Sequence, residues 1–140
     1  MNTSASEAAI IGSLKAINHY LDNGQDPNFK YPYDLTLLHK AAMNGNLECV
    51  QCLVQRGSNV ESRDITGRTA LHHAAGNGHL TVVKWLIDVG QADFKCKTVK
   101  GRTAQIMAGK HGHKKVVTFL NETELKLTGS NWVSSVFTSK

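Results

Sequence analysis

No apolar run in this chain approaches the roughly 20 residues that a membrane-spanning helix needs. Met1 to Glu7 lack a basic segment followed by an apolar stretch, so no secretory signal is visible. Cysteine is scarce and odd in number: Cys49, Cys52 and Cys96 fit reduced thiols rather than a disulfide framework. These features together lead us to expect a cytoplasmic protein, with the nucleus as the other compartment that fits. The chain has no glycine-rich phosphate loop, Gly-x-Ser-x-Gly elbow or paired-carboxylate signature. Gly67-Arg68-Thr69 and Gly101-Arg102-Thr103 are turns of a repeat, not nucleotide loops. No enzymatic activity and no cofactor are therefore expected. Basic residues are not interleaved with aromatics for stacking bases, which argues against nucleic acid as a partner.

What the chain has is repetition. Thr36-Leu37-Leu38-His39-Lys40-Ala41-Ala42-Met43-Asn44-Gly45-Asn46 returns as Thr69-Ala70-Leu71-His72-His73-Ala74-Ala75-Gly76-Asn77-Gly78-His79, and again, worn, from Thr103 to His113. The first interval is 33 residues and the second 34. A fixed period of this length marks a stacked-repeat architecture, which exposes a long surface rather than enclosing a pocket. Each unit reads as helix, tight turn, helix and long loop. Thr36, Thr69 and Thr103 suit N-caps, and Gly45, Gly78 and Gly112 suit the end of each first helix. Apolar residues recur at three- and four-residue spacing in Leu47–Val54, Leu80–Ile87 and Lys114–Leu120, the pattern of half-buried helices. Gly57 and Gly90 are expected to close the first two of these, and Gln91 reads as one inserted residue that explains the interval of 34. An imperfect first unit precedes them, with Ala8-Ala9, Gly12, Ile17, Tyr20-Leu21 and Gly24 in register and a capped start around Ser4, Ser6 and Glu7.

Thr-x-Leu-His-x-Ala-Ala-x-x-Gly-His, followed by Val-Val-x-x-Leu and a Gly-x-Asn/Asp loop, resembles the ankyrin repeat. The resemblance covers about residues 4 to 120. It implies an all-α solenoid of stacked helix-turn-helix units joined by β-turn or hairpin loops. The expected repeat domain spans 1–127, in units of about 4–34, 35–67, 68–101 and 102–127, with 128–140 a C-terminal tail or capping helix. The chain departs from the family pattern in having Leu37, Ala70 and Ala104 where a Pro usually follows Thr. The fourth unit also has Gln105-Ile106 for Leu-His and Gly109 for the second Ala, which suits a terminal cap with the least stable first helix.

The same resemblance gives His39 and His72 a structural role, bonding backbone and Thr between repeats, and makes His79 and His113 bridges to the next turn. Convergence of His72, His73, His111 and His113 on a metal is the competing idea, but zinc needs ligands that meet tetrahedrally. Cys49-Leu-Val-Cys52 lies inside an expected helix, where nothing stabilises a thiolate. Cys49 aligns with Val82 and is expected to be buried; Cys52 aligns with Trp85 and is expected to be partly exposed.

The family usually binds partner proteins through its turn tips and the concave face made by its first helices. Carried onto this chain, the contact candidates are Tyr31, Tyr33, Leu35, Lys40, Met43 and Asn44, then Ile65, Thr66, Arg68, His73 and Asn77, then Val99, Lys100, Arg102, Met107, Lys110 and His111. The net charge of +5 and the basic C-terminal third favour a partner with an acidic segment. The expected function is a non-enzymatic scaffold, adaptor or inhibitor, monomeric on its own. A small regulator or enzyme using thiols, histidines or a metal is the alternative. Asn121 to Lys140 leave the repeat pattern. After about ten residues of linker, Trp132, Val133, Val136 and Phe137 share one face of a short helix, suited either to cover the end of the fourth unit or to dock into another protein.

Overall fold

The computed structural model describes residues 13–128. The first helix of the first unit and the Trp132–Phe137 peptide lie outside the described residues. Within them are seven α-helices: α1 (Leu14–Asp22), α2 (Leu37–Met43), α3 (Leu47–Gln55), α4 (Ala70–Gly76), α5 (Leu80–Asp88), α6 (Ala104–Lys110) and α7 (Lys114–Thr128). The fold is all-α; the one β-bridge among the described residues joins Tyr31 to Leu35 across a tight turn.

Each short first helix begins where a Thr can cap it. The Thr36 hydroxyl accepts the His39 N–H, while the His39 ring accepts the Thr36 N–H, and Thr69 with His72 repeats the arrangement. Two of the four orphan amides of each helix start are satisfied this way. In α6 the Thr103 hydroxyl accepts the Ile106 N–H, but Ile106 cannot return the bond. The fourth unit therefore starts with one capping bond fewer.

The first helices pack in a row, α2 on α4 on α6, and the second helices α1, α3, α5 and α7 form the layer behind them. The contact between first helices is made of alanine. Ala41, Ala42, Ala74, Ala75 and Ala108 are fully buried because their methyl groups let adjacent backbones approach closely. Ile17, Val50, Leu53, Val82, Val83, Leu86, Val116 and Leu120 fill the space between the two layers.

Two elements differ from expectation. Gly90 does not carry the left-handed turn after α5; Gln91 does, at φ 55°. The Ala92 N–H then reaches back to Leu86 O, one residue further than the equivalent bond from Ser58 N–H to Leu53 O. The inserted residue is thus absorbed at Gln91 without disturbing the next unit. Secondly, Asn121–Thr128 is not linker but a continuation of α7. No glycine interrupts it where Gly57 follows α3, and Glu122, Glu124, Leu125, Lys126 and Leu127 are good helix formers.

Candidate functional site

Three loops carry the chain from one unit to the next, and their tips are bonded to one another. Each tip is closed by the same bond: Tyr31 N–H to Leu35 O at 2.7 Å, Asp64 N–H to Arg68 O at 2.9 Å, and Thr98 N–H to Arg102 O at 2.9 Å. Neighbouring tips are then linked, Ile65 N–H to Tyr33 O at 2.9 Å and Val99 N–H to Thr66 O at 3.0 Å. Pro32 occupies the position equivalent to Ile65 and Val99. It has no N–H to offer, and the first described tip has no earlier tip to receive one. Tyr33 and Asp34 both take left-handed backbone, φ 66° and 60°. Asp34 stands where the later tips have Gly67 and Gly101, so this first tip holds a turn that ordinarily favours glycine.

The ladder presents apolar side chains to solvent. Tyr33 is 72% exposed, Ile65 64% and Val99 74%. Asn44, Thr66, Asn77, Lys100, Lys110 and His111 are also exposed, while Tyr31, Leu35, Lys40, Met43, Arg68 and Arg102 are half-buried. The Lys40 ammonium lies 4.6 Å from the centre of the Tyr31 ring, and burial lowers its pKa. Burial also raises the Tyr31 hydroxyl, with Tyr20 adding to the effect.

Two contact candidates are part of the fold instead. Met107 is buried, its methyl facing Gly76 of the preceding unit. His73 is buried under the second tip, with its Nε2 2.8 Å from Asp64 Oδ2. Asp64 was not singled out by sequence, although Asp64-Ile65-Thr66 is the pattern of a side chain that bonds the backbone two residues on. Its Oδ1 accepts the N–H of Thr66 at 2.9 Å, the Thr66 hydroxyl at 2.7 Å and the N–H of Arg68 at 3.0 Å. Burial alone would raise the Asp64 carboxyl, but the bonds from Thr66, Arg68 and His73 outweigh it and pull it down to about 2. Burial pushes His73 down to about 4 against the pull of Asp64, so the ring is neutral at pH 7 and donates to a carboxylate.

His39 and His72 hold consecutive units together. His39 Nδ1 accepts the Thr36 N–H, which leaves the proton on Nε2, and that N–H donates to Arg68 O at 3.0 Å. His72 Nε2 likewise donates to Cys96 O at 2.9 Å and Arg102 O at 3.1 Å. Burial lowers the pKa of both rings. His79 Nε2 donates to Met43 O at 2.9 Å, so it bridges back to the preceding unit rather than on to the next turn.

Cys49 is fully buried and Cys52 half-buried, and burial raises the pKa of both, as it does for Cys96. Among the described residues, no three His, Cys, Asp or Glu side chains form a group that could hold a metal ion. Nor is any described helix long and apolar enough to cross a membrane.

Five contact candidates do converge. Thr66, Arg68, Val99, Lys100 and Arg102, together with Thr98, line a crevice of about 80 Å³ between the second and third tips. Residues 5–98 match the family model for ankyrin repeats, in three copies. No curated protein matches the chain. The matched segment covers most of the chain, and the capped first helices, stacked second helices and bonded tips extend the same plan through α6 and α7. The chain belongs to the ankyrin-repeat family.

Proposed function

We propose that this protein is a non-enzymatic interaction module, a scaffold, adaptor or inhibitor that holds a partner protein along its loop tips and the exposed side of its first helices. Ankyrin repeats generally mediate protein–protein contacts. The observation that carries the proposal for this chain is the run of exposed apolar side chains on bonded tips, Tyr33, Ile65 and Val99. Holding apolar groups in water on a rigid ladder is unfavourable unless a partner covers them. The ladder also fixes their spacing before binding, which lowers the entropy lost when a complex forms.

The contact set is Tyr31, Tyr33, Leu35, Lys40, Met43 and Asn44 at the first tip and α2. It continues with Ile65, Thr66, Arg68 and Asn77, then Val99, Lys100, Arg102, Lys110 and His111. His73 and Met107 support this surface from beneath. The partner carries an acidic segment, since Arg68, Lys100 and Arg102 gather at the second and third tips. The module works as a monomer, in the cytoplasm or nucleus.

The test is an affinity capture with paired variants. Arg68→Glu with Lys100→Glu should abolish recovery of the partner. Glu48→Lys, on the exposed back of α3, should not. The reverse ranking, with helicity intact in both proteins, would move the interface to the second helices.

A further inference from the structure

The position that closes each tip changes along the ladder: Leu35 at the first, Arg68 at the second, Arg102 at the third. The crevice between the second and third tips has both arginines and Lys100 in its lining, with the hydroxyl-bearing Thr66 and Thr98 and the apolar Val99. Among the described residues no carboxylate lies within ion-pair distance of Arg68, Lys100 or Arg102. The nearby Asp64 carboxylate is already engaged by Thr66, the Arg68 N–H and His73. Three cationic residues thus line a small recess, and none of the described residues supplies an anion to them.

We infer that this crevice takes a single carboxylate side chain, Asp or Glu, from an extended segment of the partner, whose apolar residues lie on the first tip at Tyr33 and Leu35. A volume of about 80 Å³ suits one carboxylate group. Arginine forks suit a planar carboxylate through paired hydrogen bonds. The spacing along the ladder sets the spacing along the partner. Neighbouring packed helices are about 8–10 Å apart, and an extended chain advances about 3.3 Å per residue. The crevice is about one and a half units from the first tip, so the carboxylate should lie about four residues from the apolar anchor. This inference rests on the proposed interaction surface and adds the partner's chemistry and register to it.

The experiment is a selection from a naive phage-displayed library of linear dodecapeptides, run in parallel on the full wild-type chain and on Arg68→Glu with Arg102→Glu. The Arg68 and Arg102 carbonyls that receive His39 and His72 are backbone atoms, so the substitutions leave those bonds in place. Matching circular dichroism checks this, and the milder Arg102→Gln serves as a second variant. The expected wild-type consensus is an aliphatic or aromatic residue separated by about four positions from an Asp or Glu. The charge-reversed chain should select Lys or Arg at that same position. A synthetic wild-type consensus peptide should bind about tenfold more weakly when its acid is changed to the amide, and the Arg102→Gln chain should lose most of that preference. The inference falls if no peptide is enriched, if the consensus lacks an acid, or if charge reversal leaves the consensus unchanged. It also falls if phosphoserine in place of the acid binds much more tightly than Glu, which would make the crevice a phosphate site. Acid-free peptides whose binding depends on Tyr33 and Ile65 would sink the crevice but leave the interaction surface standing.

Discussion

Gly45 offers a test of how the units are locked together. It has φ 72°, and a Cβ there would meet the His79 ring, with Nδ1 at 2.6 Å. His79 is held in that position by its bond to Met43 O at 2.9 Å. Gly45→Ala therefore imposes two penalties. Left-handed backbone on an L residue costs roughly 1–2 kcal/mol. Displacing His79 removes a hydrogen bond worth about 1 kcal/mol. The expected loss is about 2–3 kcal/mol by urea unfolding with an unchanged slope. His79→Ala alone should cost about 1 kcal/mol or somewhat more. In the double variant the clash has no ring to meet, so the double loss should fall short of the sum of the singles by about 1 kcal/mol. Gly112 supplies a second comparison: its φ is 77°, but a Cβ there meets nothing within 4 Å, so Gly112→Ala should show the backbone penalty alone. Strict additivity of the Gly45 and His79 substitutions would refute the reasoning. Equal losses at Gly45 and Gly112 would refute it as well.

Acid should destabilise the fold in a defined window. His39, His72 and His73 have depressed pKa values in the folded chain, so below about pH 6.5 the unfolded state binds more protons. Their contribution is present above that value and is lost as pH falls toward about 4, the folded pKa of His73. The urea midpoint should drop between about pH 7.5 and pH 5, less steeply in His73→Asn; an unchanged midpoint would mean that the rings are not held neutral. Leu86→Ala should cost roughly 2–5 kcal/mol because Leu86 is fully buried. Val99→Ala, on an exposed tip, should cost less than about 0.5 kcal/mol, and equal losses would mean that the faces are assigned wrongly. Removing residues 129–140 should lower the unfolding midpoint and promote self-association, since Ile106, Gly109 and Val117 are more exposed than their inner counterparts His72, Ala75 and Val83. A truncated chain of unchanged stability and solubility would make that segment a candidate for a second binding site.

The fold was legible because its determinants are local and repeated. Thr and His three residues apart specify both a helix start and the bridge to the next unit. Paired alanines specify the close approach of first helices. The insertion at Gln91 was visible from the interval alone, but not that Gln91 rather than Gly90 would take the left-handed turn. That choice depends on where the last helical bond of α5 breaks. The length of α7 was missed for a related reason, since the repeat pattern ends at Leu120 while helix propensity does not. The tips were legible as turns, and the packing beneath them less so. His73 occupies a position facing outward in the repeat pattern, yet Asp64 from the preceding tip folds over it. That pairing involves two residues nine apart, a relation no helical or strand period contains. The crevice likewise depends on two tips being bonded to one another.

The central claim is that a partner lies along the tips. Amide hydrogen exchange of the captured complex against the free chain tests it most directly. The account predicts slowed exchange at residues 31–35, 64–68 and 98–102 and along α2 and α4, with α3 and α5 unchanged. Protection confined to α3, α5 and α7, with the tips exchanging as in the free chain, would contradict it.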